Sequence, residues 1–291
     1  MRYLYYPGCS LKGTGRAYEE SILSVFDVLD IPMDEVEDWN CCGATAYMAV
    51  NELKAYALAA RNLALAEQQN NFEEVHIIAP CAACYLVLAK AQRYLEEGNG
   101  ESETIRNALK AGGLDYKGVV KVRHPLDVLI NDYGVDKIKE KVTRSLEGTR
   151  VASYYGCQIV RPYATFDDQH NPQSMDKLVV ALGAEPVDWP LKTRCCGGTL
   201  TGVVPDVGQR LSYIILREAQ SRGADTIVTA CPLCQFNLEC YQGEMSKRFE
   251  QPVNIPPVYF TQLMGVALGI SSRKLGLQRQ FVPLEPALAA K

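Results

Sequence analysis

From Val75 to Cys84 the chain reads Val-His-Ile-Ile-Ala-Pro-Cys-Ala-Ala-Cys, and from Thr226 to Cys234 it reads Thr-Ile-Val-Thr-Ala-Cys-Pro-Leu-Cys. Each stretch joins a short apolar run to a Cys-x-x-Cys pair, and such a run predicts a buried strand. A candidate helix precedes each strand, at residues 46–69 and 205–221. This alternation of strands and helices predicts an α/β fold with parallel sheets.

The cysteines follow a pattern that is written twice. Ten of the eleven form two sets, each with a lone cysteine, an adjacent pair and a Cys-x-x-Cys: Cys9, Cys41, Cys42, Cys81 and Cys84, then Cys157, Cys195, Cys196, Cys231 and Cys234. Corresponding members lie 148 to 154 residues apart, and a Tyr-Tyr pair and a glycine stand before each lone cysteine. The chain therefore reads as two copies of one thiol-rich unit, each able to hold a metal centre.

The copies predict two pseudo-symmetric Rossmann-like domains, at residues 1–148 and 149–270, with a boundary in the charged stretch 137–149. In open parallel sheets ligands gather beyond the carboxyl ends of the strands. We therefore expect the metal centres in loops at those ends, near the interface of the two domains. Residues 271–291 carry Arg273, Lys274, Pro283 and Pro286 and are predicted to be a tail that contacts a partner.

Composition excludes several classes of protein. The chain has 291 residues, 47% of them hydrophobic and 22% charged, and a net charge of −4, which suits a soluble α/β protein. A weakly acidic chain is a poor candidate for binding nucleic acid. The longest apolar stretch near the end, residues 259–270, is too short to span a membrane and predicts a strand that runs into a buried helix.

The beginning of the chain bears on where the protein works. Its first residues are too short before Pro7 and Gly8 to form the core of a signal peptide, so a cytoplasmic location is expected. Structural disulfides are rare in a reducing compartment, where dense cysteines more often bind metal or act in catalysis. Metal binding is therefore favoured over disulfide bonding for both sets of cysteines.

The number of thiols per set narrows the kind of metal centre. A structural zinc site needs four ligands and usually takes them from two Cys-x-x-Cys arms, whereas each set here has one arm, a lone cysteine and an adjacent pair. Soft thiolates suit iron–sulfur clusters, and four of them commonly hold a 4Fe-4S cluster. Five ligating thiolates imply a distorted, non-cubane cluster. A fifth cysteine that is only buried, or zinc in one of the sites, remains an alternative.

The local motifs resemble a known family. Cys-Cys-Gly occurs at 41–43 and at 195–197, each with its upstream cysteine and its downstream Cys-x-x-Cys, and this arrangement resembles the cysteine-rich CCG domain. Two such domains over residues 2 to 270 are similar to the B subunit of heterodisulfide reductase and its bacterial relatives. Further resemblance lies in Tyr-Tyr-Pro-Gly before Cys9, in Ala-Pro before Cys81 and in the terminal Pro-Val-Tyr-Phe-Thr-Gln-Leu.

The resemblance implies a set of cofactors, partners and chemistry. Each five-cysteine set would hold one non-cubane 4Fe-4S cluster, and a disulfide would be cleaved, or thiols oxidised, between the two clusters. The implied partners are a ferredoxin-like iron–sulfur subunit of the C type and a flavin-containing subunit of the A type, through which the protein would associate with a membrane if it does so at all. Two clusters would match the two electrons and two sulfur atoms of a disulfide.

Two other functions stay open. The protein would be an electron-transfer or structural metal subunit, holding clusters or zinc, if its metal centres never meet a substrate. Ordinary thiol–disulfide exchange needs a free Cys-x-x-Cys with a lowered pKa, and both pairs here belong to larger sets. Exchange is therefore ranked below metal chemistry.

Several other residues are given minor roles. We expect Gly43, Gly197 and Gly198 to allow close backbone approach or a turn, and Lys12, Arg16 and Arg194 to be surface cations that steer an anionic thiol at most. The tyrosine pairs, Tyr5, Tyr6, Tyr154 and Tyr155, are expected to pack beneath the metal centres. None of the remaining candidates is needed as a ligand: His76, His124, His170 and Cys240.

Overall fold

The fold contains two sheets, each of four parallel strands. It was obtained as a computed structural model, which describes residues 2–98 and 100–284. The first sheet has the order β2-β1-β3-β4 and consists of β1 (Tyr3–Tyr5), β2 (Met33–Glu35), β3 (Val75–Ile78) and β4 (Val120–Arg123). The second has the order β6-β5-β7-β8 and consists of β5 (Arg150–Tyr154), β6 (Glu185–Pro186), β7 (Thr226–Thr229) and β8 (Pro257–Tyr259).

Helices connect the strands in the same sequence in both copies. The first copy has α1 (Gly8–Leu11), α2 (Arg16–Val28), α3 (Ala46–Val50), α4 (Glu52–Gln69), α5 (Ala82–Glu97), α6 (Gly100–Ala111), α7 (Pro125–Asp127) and α8 (Val135–Glu140), with a π-helical segment (Val128–Gly134) between the last two. The second has α9 (Ser174–Ala181), α10 (Leu200–Val203), α11 (Pro205–Ser221), α12 (Pro232–Glu239), α13 (Gln242–Arg248) and α14 (Phe260–Ala267), then a 3-10 turn (Leu277–Arg279). None of the helices within the described residues is long and apolar enough to cross a bilayer.

These observations confirm the predicted α/β class and the two parallel sheets. The central strands β3 and β7 are buried along their whole length, as their continuous apolar runs indicate. The helix expected over residues 46–69 is wrong in one respect, because it is broken at Asn51. Asn51 has extended backbone, and its side-chain oxygen accepts a hydrogen bond from the Lys54 N–H at 2.9 Å, so it begins a second helix.

The described residues divide into two compact units that interleave along the chain. The first runs from the start of the chain to Lys12 and from Ile31 to Pro125; the second takes residues 13–30 and everything from Leu126 onward. Helix α2 therefore belongs to the second unit, where Tyr18 stacks on Tyr259 at a ring distance of 4.3 Å. The boundary between residues 148 and 149 follows the sequence copies and stays a prediction.

The described part of the tail packs on the second unit. Leu275 and Leu284 are fully buried, and the Leu275 carbonyl accepts a hydrogen bond from the Gln262 side chain at 3.0 Å. Arg279 forms an ion pair with Glu20 of α2 at 2.7 Å. Residues 271–284 thus contribute core, a role that was not predicted. Contact of the tail with a partner stays a prediction, and Pro286 lies outside the described residues.

Candidate metal centres

Each unit brings its five cysteines to the carboxyl end of its sheet. In the first unit Cys9 follows β1, the Cys41-Cys42 pair follows β2, and Cys81 follows β3. Cys81 is the residue before α5, and Cys84 lies in the first turn of that helix, so a spacing of three directs both thiols to one side. The second unit repeats this arrangement with Cys157 after β5, its Cys-Cys pair after β6, and the Cys-x-x-Cys after β7 at the start of α12.

The second member of each adjacent pair meets the last cysteine of its set. The Sγ atoms of Cys42 and Cys84 are 3.2 Å apart, and those of Cys196 and Cys234 are 3.4 Å apart. These distances are well beyond a disulfide bond of about 2.05 Å, and all eleven cysteines are free thiols. The predicted ligand cysteines are thus gathered in each unit as thiols, which is what metal binding requires.

A tyrosine holds the loop that carries each adjacent pair. The hydroxyl of buried Tyr6 donates to the carbonyl of Asn40, the residue before Cys41, at 2.7 Å. At the equivalent place Tyr154 donates to the carbonyl of Arg194, the residue before Cys195, at 2.6 Å. Both tyrosines lie at the ends of the first strands of their sheets, so each hydrogen bond fixes the Cys-Cys loop relative to a buried strand. Packing of these residues beneath the centres was expected; the hydrogen bonds were not.

A glycine before each lone cysteine lets the backbone approach the last cysteine. Gly8 has a φ of +64°, and a Cβ placed on it would lie 2.9 Å from the Sγ of Cys84. Gly156 has a φ of +68°, and its Cβ would lie 3.0 Å from the Sγ of Cys234. Any side chain at these positions would both strain the backbone and displace a thiol. The repeated Gly-Cys sequence was the signal for this role.

The glycines after the adjacent pairs serve the neighbouring helices instead. A Cβ on Gly43 would lie 3.0 Å from the Cα of Ala55 in α4, and one on Gly197 would lie 2.9 Å from the Cα of Gly208 in α11. Both have positive φ, so close packing of the Cys-Cys-Gly loop on a helix requires glycine twice over. Gly198 has a positive φ with no atom close to its missing Cβ, which makes it a turn residue.

Mutual hydrogen bonding polarises the thiols of each set. Hydrogen bonds donated first by Cys41 and then by Cys84 lower the pKa of Cys42 to about 4. In the second unit, hydrogen bonds from Cys157 and Cys196 hold the pKa of Cys195 far below its usual value, and the nearby charge of Arg161 adds to this effect. Burial, together with thiolates nearby, raises the pKa of Tyr6 far above its usual value and keeps it a donor. A thiolate is therefore favoured in each set, and thiolates are the metal-binding form.

Each set has a buried side and an exposed side. In the first unit Cys42, Cys81 and Cys84 are at most 5% exposed, while Cys9 and Cys41 are exposed. In the second unit Cys196, Cys231 and Cys234 are buried, Cys157 is half-buried and Cys195 is exposed. Within residues 2–98 and 100–284, no group of three histidine, cysteine, aspartate or glutamate side chains is arranged to hold a single metal ion. The chemistry of the donors, five clustered thiols per unit, fits an iron–sulfur centre.

The structure also identifies a polar neighbour that sequence reasoning missed. Asn237 is buried on α12, and its side-chain amide lies 3.5 Å from the Sγ of Cys196 and donates to the carbonyl of Gly198 at 2.9 Å. It stands three residues after Cys234, on the same helical face, which is a signal that the sequence did contain. Such outer contacts orient and tune metal ligands.

The residues given minor roles are mostly engaged elsewhere. Lys12 pairs with Glu35 at 2.8 Å, and Arg16 pairs with Glu20 at 3.5 Å. Burial raises the pKa of Cys240 to about 11, so it is a thiol at neutral pH. His76 and His124 are buried, as the sequence predicted for His76, and His170 is exposed.

Comparison with known proteins gives a family and several relatives. The model of the CCG cysteine-rich domain matches residues 3–89 and 151–239. The 8-methylmenaquinol:fumarate reductase membrane anchor subunit of Wolinella succinogenes is 33% identical over 282 residues, which are 96% of each chain. The B subunit of the ferredoxin:CoB-CoM heterodisulfide reductase of Methanosarcina mazei is 29% identical over 94% of this chain and 92% of that protein.

One solved structure shares the fold. A hypothetical protein from Helicobacter pylori superposes with a TM-score of 0.76 at 14% sequence identity. The match covers 97% of this chain and 52% of the other, so this chain spans about half of that protein. At this level of identity the likeness concerns the fold alone.

Proposed function

The chain belongs to the family of proteins built on paired CCG cysteine-rich domains, and from this we propose that it is the catalytic iron–sulfur subunit of a heterodisulfide reductase-like complex. Its reaction would be the reduction of a disulfide, or the oxidation of thiols, between two non-cubane 4Fe-4S clusters. The observation that carries the proposal is a complete set of five gathered thiols in each unit, buried on one side and exposed on the other. Relatives that are B subunits of heterodisulfide reductases, among them the one from Methanosarcina mazei, support the assignment.

The cysteines divide the work within each set. When bound, an iron–sulfur cluster supplies one-electron transfer and a Lewis-acidic iron for sulfur. Cys42, Cys81 and Cys84 would hold its buried side, because their thiols lie out of water, and Cys9 and Cys41 would hold its exposed side. In the second unit Cys196, Cys231 and Cys234 would take the buried side, with Cys157 and Cys195 toward solvent.

The surrounding residues keep these donors in place. Tyr6 and Tyr154 fix the Cys-Cys loops through their hydroxyls, and their raised pKa values keep them neutral donors beside the thiolates. Gly8 and Gly156 let the first loop of each unit lie against the last thiol. An exposed side on each centre supports access by a sulfur-containing small molecule.

The proposal extends to partners and location. An iron–sulfur subunit of the C type and a flavin-containing subunit of the A type would deliver or remove electrons, since the relatives are subunits of larger enzymes. The protein would work in the cytoplasm or at a membrane through these partners.

A second function has its own support. The relative from Wolinella succinogenes is a subunit of a fumarate reductase, whose named substrates include no disulfide. The same five-thiol centres would then relay electrons without meeting a thiol. Zinc in place of a cluster remains the version of this alternative without redox chemistry.

Metal analysis and paramagnetic resonance separate the alternatives. Protein purified without oxygen should contain about eight irons per chain if it holds two 4Fe-4S clusters, and zinc without iron would refute the redox assignment. Oxidation in the presence of 2-mercaptoethanesulfonate or 2-mercaptoethanol should produce a new, thiol-dependent signal in the catalytic subunit. A spectrum that no thiol changes would support the electron-relay function.

The fifth ligand is tested by substitution. Cys42→Ser should alter the spectrum of the first centre, because this thiol lies at the middle of its set, 3.2 Å from the Sγ of Cys84. Cys240→Ser is the matched control, since that thiol belongs to neither set. A cluster spectrum unchanged by Cys42→Ser would contradict the non-cubane ligation.

A further inference from the structure

A cavity in the first unit lies apart from its cysteines. It has a volume of 430 Å³ and lies between α4 and α6, with walls that include Leu58, Ile105, Leu109 and Leu114. Two cationic side chains, Lys54 and Arg61, also line it. Small-molecule sites typically measure about 300–1,000 Å³ and combine mainly apolar walls with a few polar groups. The cavity has the size and the lining of such a site.

The second copy provides an internal comparison. Gly43 packs on Ala55 of α4 as Gly197 packs on Gly208 of α11, so the two helices correspond with an offset of 153 residues. The groove between α4 and α6 in the first copy therefore corresponds to the groove between α11 and α13 in the second. Any difference between the grooves arises from their side chains rather than from the fold.

The groove of the second copy is filled. At the position of Ala57 it has Arg210, whose guanidinium lies 5.0 Å from the ring centre of Phe249. Tyr213 packs on the same ring at 4.4 Å, and Arg248 pairs with Asp206. In the first copy the small side chain of Ala57 leaves the cavity between the helices. The cavity is thus a property of this copy alone.

The charges at the cavity indicate what it binds. Arg61 is already paired with Asp38 and also donates to the carbonyl of Asp38 at 2.7 Å. Lys54 is exposed, and its ammonium has no carboxylate partner in the part of the chain that the structure describes. We propose that the cavity between α4 and α6 binds an amphiphilic anion, a free small molecule whose apolar body lies against the leucines and whose acidic head faces Lys54.

The bound anion would border the loop of the first metal centre. Arg61 donates to the side-chain oxygen of Asn40 at 3.0 Å, and the Asn40 amide donates to the carbonyl of Cys41 at 2.8 Å. The site itself uses none of the five thiols. It therefore goes beyond the proposed function and does not depend on it.

Calorimetric titration of the full, metal-containing chain with decane-1-sulfonate tests the proposal. This probe has an apolar chain of suitable size and an anionic head, and we expect one saturable site per chain. Ala108→Trp, which places an indole in the cavity, should weaken binding at least tenfold. Ala111→Trp at the end of the same helix adds the same side chain outside the lining, and it should leave binding unchanged.

The charge requirement is tested separately. Lys54→Gln should weaken binding about threefold, in line with an exposed ion pair, and Lys110→Gln on α6 is the charge-matched control. Decyltrimethylammonium should not bind. Equal affinity for the cationic and anionic probes, or an unchanged affinity in Ala108→Trp, would overturn the proposal. Binding seen only with phosphatidylglycerol vesicles would also overturn it, because the occupant would then be a membrane.

Discussion

Replacement of Gly8 by alanine isolates the close approach between a backbone and a metal-binding thiol. The new Cβ would lie 2.9 Å from the Sγ of Cys84, whereas ordinary contact begins at 3.4 Å. The sulfur must therefore move by about 0.5 Å, which is the tolerance within which a functional site has to be held. The substitution also places alanine at a φ of +64°, at a conformational cost of about 1–2 kcal/mol.

Gly118→Ala separates these two effects. Gly118 has a φ of +81°, but its Cβ would meet no atom within 4 Å. Both variants should lose about 1–2 kcal/mol of stability, or a few degrees in melting temperature. Only Gly8→Ala should also lose iron, by about the four atoms of one 4Fe-4S cluster.

Iron content after anaerobic purification and the thermal melt followed by circular dichroism measure the two effects. A Gly8→Ala protein with the iron content of the wild type would refute the reasoning. So would an equal loss of iron in Gly118→Ala, because the loss would then come from backbone strain alone.

Three further outcomes are expected. Asn237→Val removes a hydrogen bond of about 1 kcal/mol to Cys196, which should lower the reduction potential of the second centre by about 40 mV; an unchanged redox titration would contradict this. Leu275→Ala in the tail should cost about 3 kcal/mol, against less than about 1 kcal/mol for the half-exposed Leu23→Ala, and similar melts for the two would refute the role of the tail. Burial, with the charge of Arg123, lowers the pKa of His76 below its usual 6.5 in the folded state, so the unfolded chain takes up the proton first as pH falls. Stability should therefore decline below about pH 6.5, and His76→Gln should flatten this decline in unfolding curves.

Local sequence was enough to predict the strands and the positions of the cysteines. The run before Cys81 is short, apolar and bounded by a proline, and these features alone indicate a buried strand that ends at a ligand. Doubling of the pattern supplied the second sheet. The break at Asn51 was missed, because the alanines and leucines on both sides favour one continuous helix more strongly than a single capping residue opposes it.

Long-range contacts were beyond what sequence patterns reveal. The hydrogen bond from Tyr6 to Asn40 joins a strand end to a distant loop, and no periodicity indicates it. The tail offered only scattered leucines, so the burial of Leu275 depends on where α14 lies. Asn237 is the exception, since a polar residue three positions after Cys234 on a buried helix face pointed to the second centre.

The placement of α2 has a consequence for biosynthesis. This helix belongs to the second unit, and its Ser21 hydroxyl meets Thr261 of α14 at 2.6 Å, across 240 residues of chain. Because synthesis proceeds from the N-terminus, α2 leaves the ribosome long before its packing partner exists, and its buried face must wait in water or with a chaperone. Ordering of the segment that follows Cys9 thus becomes a late event, and synthesis of the last helix sets the earliest moment at which the second unit can be completed.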